Sequence, residues 1–208
     1  MVLVYRPALL LAVALLLLLE TGCGVPASLH PLSDDETSEV DEKLVGYWQV
    51  IHEDADRDDP PPPPFTVARK PDTKATMESI YVEINGEKEL EIERNLLFTS
   101  KVGEQSFISW QQVDDDKVNY VIAAYEFTRK GRLQVLLMDE DKVIEAIEQG
   151  RMDGEVVIRT ERDKNGVETQ HKSGTITASP AQLRRVLSET GLDLFDQDEP
   201  MEFKRYGK

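Results

Sequence analysis

The 208-residue chain carries few of the side chains that usually perform catalysis or bind transition metals. Cys23 is its one cysteine, and its three histidines, His30, His52 and His171, have no spacing typical of metal ligands. No G-x-S-x-G nucleophile turn, H-E-x-x-H pair or phosphate-binding loop occurs in the sequence. We therefore predict a non-enzymatic protein without catalytic residues, metal ligands or a bound cofactor.

Three aspartates, Asp54, Asp56 and Asp58, alternate along the chain as at the start of an EF-hand calcium loop. That loop needs a glycine at its sixth position and a glutamate at its twelfth, where this chain has Asp59 and Phe65. We interpret these aspartates as part of an acidic loop rather than as a calcium site.

The amino-terminal segment is the most apolar part of the chain. Twelve consecutive apolar residues, 8–19, follow the cationic Arg6. A membrane-spanning helix needs about 20 apolar residues, whereas about a dozen is typical of the core of a signal peptide. We therefore predict a signal peptide over residues 1–22. Because residues 1–5 are also apolar, an uncleaved signal anchor is the alternative.

The residues that follow, Leu19-Glu20-Thr21-Gly22-Cys23, resemble the lipobox of bacterial lipoproteins. Gly22 is the small residue that the pattern has before its cysteine, while Glu20 stands where leucine is usual. The resemblance implies cleavage between Gly22 and Cys23, acylation of Cys23 with chains such as palmitate, and attachment to a membrane of the cell envelope. Gly24 favours the outer membrane. An unmodified buried cysteine behind an ordinary signal peptide is the alternative.

Composition divides the rest of the chain into a tether and a folded domain. Residues 23–43, rich in Ser, Pro, Asp and Glu, are predicted to form a solvated, lipid-anchored acidic tether, or an ordinary unstructured start. Residues 44–208 are predicted to form a β domain. Within it, residues 53–77 contain five successive prolines among acidic residues and are predicted to form an acidic, Pro-rich loop.

Short runs of β-branched and aromatic residues, separated by turn-forming residues, continue from residue 44 onward. Asn85-Gly86 is the strongest hairpin signal because both residues tolerate positive φ, and Ser173-Gly174 is another predicted turn. Residues 118–128 are apolar on both faces, which predicts a strand between two packed layers. The predicted strands are 44–51, 80–84, 89–93, 96–102, 107–113, 118–128, 133–138, 155–162, 167–171, 175–178 and 201–206.

Two helices interrupt this pattern. The first is predicted at about 140–149, before Gly150, and the second at about 180–190, where Ser179 and Gln182 form a capping box. The sequence therefore predicts a mainly β (α+β) fold, an antiparallel barrel or sandwich of about 8–10 strands with two short helices.

Gly46 and Trp48 open the first predicted strand with a G-x-W motif. This motif, followed by mostly sequential strands, resembles the first strand of lipocalins and lipocalin-like barrels. The resemblance implies a cup for a small apolar molecule with the indole sealing one end. A tryptophan in the core of any β domain is the alternative. The aromatic candidates for the ligand-binding wall are Trp48, Tyr81, Trp110, Tyr120 and Tyr125.

The charge balance limits the classes of partner. Lys and Arg number 24 against 40 Asp and Glu, a net charge of −16. This balance argues against nucleic acid, whose phosphates need cationic partners, and against adsorption to anionic lipid by surface charge.

Two hypotheses of function follow. In the first, the protein is a membrane-anchored envelope lipoprotein whose lipocalin-like barrel binds a small apolar ligand. In the second, it is a structural or interaction lipoprotein with a filled barrel that contacts another envelope protein. In both, the lipid bilayer is a partner through acylated Cys23.

Overall fold

A computed structural model describes residues 24–51, 64–84, 90–114, 117–162 and 168–207. These residues form eleven strands and two helices. The strands are β1 (Ala27–Ser28), β2 (Gly46–Val50), β3 (Phe65–Arg69), β4 (Met77–Ile84), β5 (Leu90–Val102), β6 (Gln105–Asp114), β7 (Lys117–Phe127), β8 (Leu133–Leu137), β9 (Gly154–Arg162), β10 (Glu168–Ile176) and β11 (Met201–Arg205). The helices are α1 (Glu140–Glu148) and α2 (Pro180–Thr190).

Eight of the strands close into an antiparallel barrel. Strands β2 to β8 pair in sequence order, and β11 lies between β8 and β2 to complete the ring. Each strand of the ring therefore has a neighbour on both sides, although the pairing of β5 with β6 extends only from Val102–Gln105 to Leu97–Trp110. The predicted mainly β fold with a barrel and two short helices is confirmed.

A second sheet segment branches from the outside of the barrel at β7. The short strand β1 pairs antiparallel with β7 at Ala27–Val121 and parallel with β10 at Ala27–Thr175. Strand β10 in turn pairs antiparallel with β9 along its whole length. The branch therefore adds β1, β10 and β9 beside one wall of the barrel.

The barrel wall separates two hydrophobic cores. The interior core consists of side chains that point into the barrel and of Leu44 beneath it. Its buried members are Leu44, Trp48, Val67, Met77, Leu97, Tyr125, Leu133 and Phe203. The outer core lies between the wall, the two helices and the branch. Its largest members are Leu32, Phe107, Ile122, Met152, Ile176, Leu183, Leu187 and Phe195.

Strand β7 contributes to both cores, as its two apolar faces predict. Residues from Val121 to Tyr125 are all buried. Ile122 and Ala124 join the outer core, whereas Tyr125 joins the interior core. Alternation along the strand sends successive side chains to opposite faces, so the strand lies between the two packed layers.

The helices begin and end where the sequence indicates. The Asp139 side chain accepts a hydrogen bond from the backbone N–H of Lys142 at the start of α1, and Ser179 accepts one from Gln182 at the start of α2. Gly150 and Gly191 follow the helices with positive φ of 68° and 60°. These caps satisfy backbone groups that a helix end leaves unpaired.

The prediction of a solvated tether is wrong for the described residues 24–43. Ser28, Leu32, Ser33 and Ser38 are each at most 6% exposed. The serines are stable in the interior because they hydrogen-bond: the Ser33 and Ser38 hydroxyls both donate to the Thr99 carbonyl. The polar composition indicated solvent, but these hydroxyls pair with backbone groups of the barrel wall instead.

The predicted loop over residues 53–77 is also wrong in its second half. Residues 52–63 lie outside the described residues, but Phe65–Arg69 forms strand β3 and pairs with β2 and β4. The turn predicted at Ser173-Gly174 is wrong as well, because both residues lie within the continuous strand β10. There a side chain on Gly174 would meet Ile144 of α1 at 3.2 Å, so glycine permits the close approach of the helix.

The turn predicted at Asn85-Gly86 lies outside the described residues. The strands that flank it pair in register, with Ile84 opposite Leu90. Strand β5 continues from Leu90 to Val102 without the break that the sequence indicated.

The burial of Leu32 gives a first test of the packed amino-terminal segment. We expect Leu32→Ala to reduce the free energy of unfolding by about 3 kcal/mol, because it leaves a cavity in the outer core. Leu29→Ala is the matched control, since Leu29 is 44% exposed and the loss should stay within about 0.5 kcal/mol. Urea denaturation measures both, and equal effects would contradict the packed segment.

Strand β11, which closes the barrel, provides a test of how stability depends on pH. Arg132 and Gln134 donate hydrogen bonds of 2.6 and 2.7 Å to the Glu202 carboxylate of β11, and they lower the pKa of Glu202. A lowered pKa stabilises the folded state above the pKa of the unfolded chain, and this contribution disappears as pH falls through the folded pKa. We expect Glu202→Gln to lower the urea midpoint at pH 7 and to approach the parent chain at pH values below the lowered pKa of Glu202. A difference that persists there would contradict the assignment.

Candidate functional site

The interior of the barrel is the candidate binding site. Trp48, Trp110 and Tyr125 belong to the interior core, as predicted for wall residues. Tyr81 lies on the same face of β4 as Met77, which is in the interior core, because the two are four residues apart on one strand. The structure thus brings four of the five predicted aromatic residues to the inner surface.

Tyr120 is the exception, and its prediction as a wall residue is wrong. It alternates with Val121 on β7 and shares the outer face with Ile122. Its ring lies 6.3 Å from the ring of Phe98, and its backbone pairs with Ser28 of β1. Tyr120 therefore packs beneath the amino-terminal segment on the outside of the barrel.

One end of the barrel, here called the base, is covered by residues 38–45. Leu44 is buried in the interior core and its carbonyl accepts a 2.6 Å hydrogen bond from the indole Nε1 of Trp48. The Tyr125 hydroxyl donates to the Asp41 carboxylate at 2.9 Å, and the Thr99 hydroxyl donates to the Glu39 carbonyl. Burial, reinforced by the nearby Asp41, raises the pKa of Tyr125, so the phenol remains a donor at neutral pH.

Arg205 completes the base, and the sequence analysis missed it. Its guanidinium lies 4.7 Å from the centre of the Trp48 ring and donates to the carbonyls of Lys43 and Val45 at 2.7 and 2.9 Å. Gly46 has a φ of 149°, and any side chain there would collide with this guanidinium. The glycine of the G-x-W motif therefore makes room for Arg205, which pairs with Trp48 across strands β11 and β2.

The opposite end, here called the mouth, is where the connections β2–β3, β4–β5 and β6–β7 lie. Those connections contain residues 52–63, 85–89 and 115–116, which are outside the described residues. The base therefore closes one end of the interior.

Within the part of the chain that the structure describes, the indole nitrogen of Trp110 lacks a hydrogen-bond partner in the barrel interior. Its indole Nε1 is buried and is the one buried side-chain nitrogen or oxygen, among those of the described residues, without a hydrogen-bond partner. Its cross-strand neighbours, Leu97 on β5 and Val121 on β7, are apolar. A buried donor without an acceptor costs about 1–3 kcal/mol. The contrast with the paired indole of Trp48 marks this nitrogen as a group that an incoming acceptor would satisfy.

An open cleft of about 640 Å³ lies elsewhere, on the outside of the barrel. It is lined by residues 30–34 and by the first turns of α2, including Pro180 and Arg184. Arg184 bridges its two sides, since Nε donates to the Leu32 carbonyl at 2.8 Å. The sequence placed the ligand cavity inside the barrel, and this cleft is a separate feature.

The predicted lipidation and cleavage site, Gly22 and Cys23, lies outside the described residues, but the next residue does not. The backbone N–H of Gly24 donates to Glu140 of α1 at 2.8 Å, and Gly174 donates to the same carboxylate at 3.3 Å. Burial raises the pKa of Glu140. Gly24 is thus fixed against the folded domain, without a flexible spacer.

The described residues contain no group of three His, Cys, Asp or Glu side chains arranged to hold a metal ion. His52 and the Asp54–Asp58 cluster lie outside those residues. Within the same described ranges, no helix has the length and apolar character needed to cross a membrane. Comparison with protein-family models, curated proteins and solved structures finds no match to this chain.

Proposed function

We propose that this protein is a lipid-anchored protein of the cell envelope whose barrel binds a small apolar molecule bearing a hydrogen-bond acceptor. The unpaired indole nitrogen of Trp110 is the observation that carries the proposal. Its opposite neighbours, Leu97 and Val121, are apolar, whereas Gln112 and Asn119 share its face toward the mouth. A ligand would therefore gain from burial of hydrocarbon surface against the apolar neighbours and from a hydrogen bond directed to the indole.

The chemistry of the wall selects the class of ligand. Leu97 and Val121 flank Trp110 in the adjacent strands, and Ile108 of the same strand joins the interior core. An anionic acceptor would lose its hydration without gaining a cation, which is costly in an apolar interior. A neutral carbonyl, ester or ether on a hydrocarbon body fits this surface.

The base supports the proposal because it gives the interior a closed and well-packed end. Trp48, Arg205 and residues 38–45 are tied together by hydrogen bonds and ring contacts. A rigid, closed end lets a ligand bind without ordering the protein further, which lowers the entropic cost of binding.

The proposed anchor is supported by the lipobox-like sequence and by the position of Gly24. Two or three acyl chains on Cys23 hold a protein at a bilayer almost irreversibly. Because Gly24 is hydrogen-bonded to Glu140, the acylated residue would emerge beside α1 and β10. The domain would then lie directly at the membrane surface.

A second candidate is the interaction lipoprotein with a filled barrel. It is favoured by the dense packing next to the base, where Trp48, Met77 and Leu133 are at most 3% exposed. In that case the protein would act through its outer surface, and the interior would have only a structural role.

Substitution of Trp110 separates these two functions. We expect the full chain in detergent to bind a propionyl-naphthalene dye, whose carbonyl can accept from the indole, and Trp110→Phe to weaken this binding about threefold to tenfold. A phenyl-naphthylamine dye, which lacks the carbonyl, should bind both forms within about twofold. Fluorescence titration measures each affinity.

Tyr120→Phe is the matched control, since it alters an aromatic residue on the outer face of the barrel. If the parent chain bound neither dye, or if Tyr120→Phe weakened binding as much as Trp110→Phe, the filled-barrel candidate would be favoured.

Substitution of Cys23 tests the anchor separately. We expect Cys23→Ala to leave the membrane fraction, because the acylated sulfur is the proposed attachment. Intact-mass spectrometry of the parent protein, extracted from its membrane, should show acyl mass on Cys23 and no residues before it. An unmodified sulfur with the leader still attached would support the signal-anchor alternative instead.

A further inference from the structure

The far part of the β9–β10 pair is exposed on both faces. On β9, Val157 and Ile158 are 45% and 57% exposed, and the residues from Val157 to Thr160 are all exposed. Helix α1 covers the near part, where Gly154 and Gly174 lie against its side chains. A two-stranded ribbon without further support is only marginally stable in water.

Strand β9 is also a sheet edge. It ends the order of strands, and among the described residues only β10 pairs with it. Its nine residues include no proline, and its backbone groups on the outer side can accept another strand. A long edge of this kind is the usual template for strand addition.

We propose that β9 pairs with β9 of a second copy of this chain, antiparallel and centred on Val157. Val157 would then lie opposite its own equivalent, on the two-fold axis. Val156 would lie opposite Ile158 of the other copy, and Glu155 opposite Arg159. Each pair joins residues on the same face of the sheet, because both members differ from Val157 by the same number of positions.

Charge complementarity selects a second copy as the partner and selects this register. Glu155 and Arg159 are both exposed, and neither forms an ion pair in the described part of the chain. Four residues apart on one strand, they are about 13 Å from each other and cannot pair within a chain. In the proposed register, Glu155 of each copy pairs with Arg159 of the other, which gives one ion pair on each side of the two-fold axis. The same register places the apolar residues opposite one another.

The geometry is that of a closed two-fold dimer, in which the same surface is used by both copies. The contact is one strand pair with its flanking side chains, an area at the small end of specific interfaces. A reversible dimer is therefore expected rather than an obligate one.

Cysteine cross-linking of the full chain tests the register. Residues directly opposite on paired strands have Cβ atoms about 4.5–5.5 Å apart, close to the reach of a disulfide. We expect Val157→Cys to form a disulfide-linked dimer on mild oxidation. Thr160→Cys is the matched control, because Thr160 is exposed, has no part in the proposed charge pairs, and its two copies would be about 20 Å apart along the strands. The parent chain, run alongside, accounts for any contribution of Cys23.

Charge reversal tests the pairing without a cross-link. We expect Glu155→Arg and Arg159→Glu each to raise the dimer dissociation constant about tenfold, and the double variant to restore it to within about threefold of the parent. Sedimentation velocity of the full chain in detergent measures the dimer. Far-ultraviolet circular dichroism shows that each variant has folded.

The two experiments give clear contrary results. Equal cross-linking of Val157→Cys and Thr160→Cys would overturn the register, since random encounters would link both variants equally. A parent chain that stays monomeric at every concentration, or a double variant no better than the single ones, would overturn the dimer.

Discussion

The contact between Trp48 and Arg205 ties the first barrel strand to the last and both to the incoming chain. The indole is fully buried and donates to Leu44, while the guanidinium covers its face and donates to Lys43 and Val45. Each donor is thus paired with a carbonyl of the segment that covers the base. The same two side chains thus close both the barrel and its base. The other interior side chains therefore pack against a well-defined base.

Much of the fold could be predicted from the sequence, because alternation, turn residues and helix caps are local signals. The two apolar faces of residues 118–128 correctly predicted a strand between two layers. The amino-terminal segment could not be predicted in the same way. Ser33 and Ser38 are buried because their hydroxyls donate to the Thr99 carbonyl of β5, more than 60 residues further on. Likewise, the backbone N–H of Leu32 donates to the Ser109 hydroxyl of β6. Amino-acid composition does not reveal hydrogen-bond partners that lie so far along the chain.

The candidate site was predicted in its residue types but not in its geometry. Four of the five aromatic residues point inward, whereas Tyr120 differs by a single step along β7 and points outward. Arg205 was missed because nothing local links it to Trp48, and their pairing depends on closure of the ring. The unpaired indole nitrogen of Trp110 could not be predicted either, because the sequence does not show which groups surround a tryptophan in the folded protein.

The closing strand makes this a fold of high contact order. Phe203 pairs with Val50, about 150 residues earlier, so the ring cannot form before β11 has been synthesised. Until then β2 and β8 are both edges with unpaired backbone groups. A chain that lacks Met201–Arg205 would expose both edges to aggregation, so synthesis of β11 is the step that protects the barrel from misassembly.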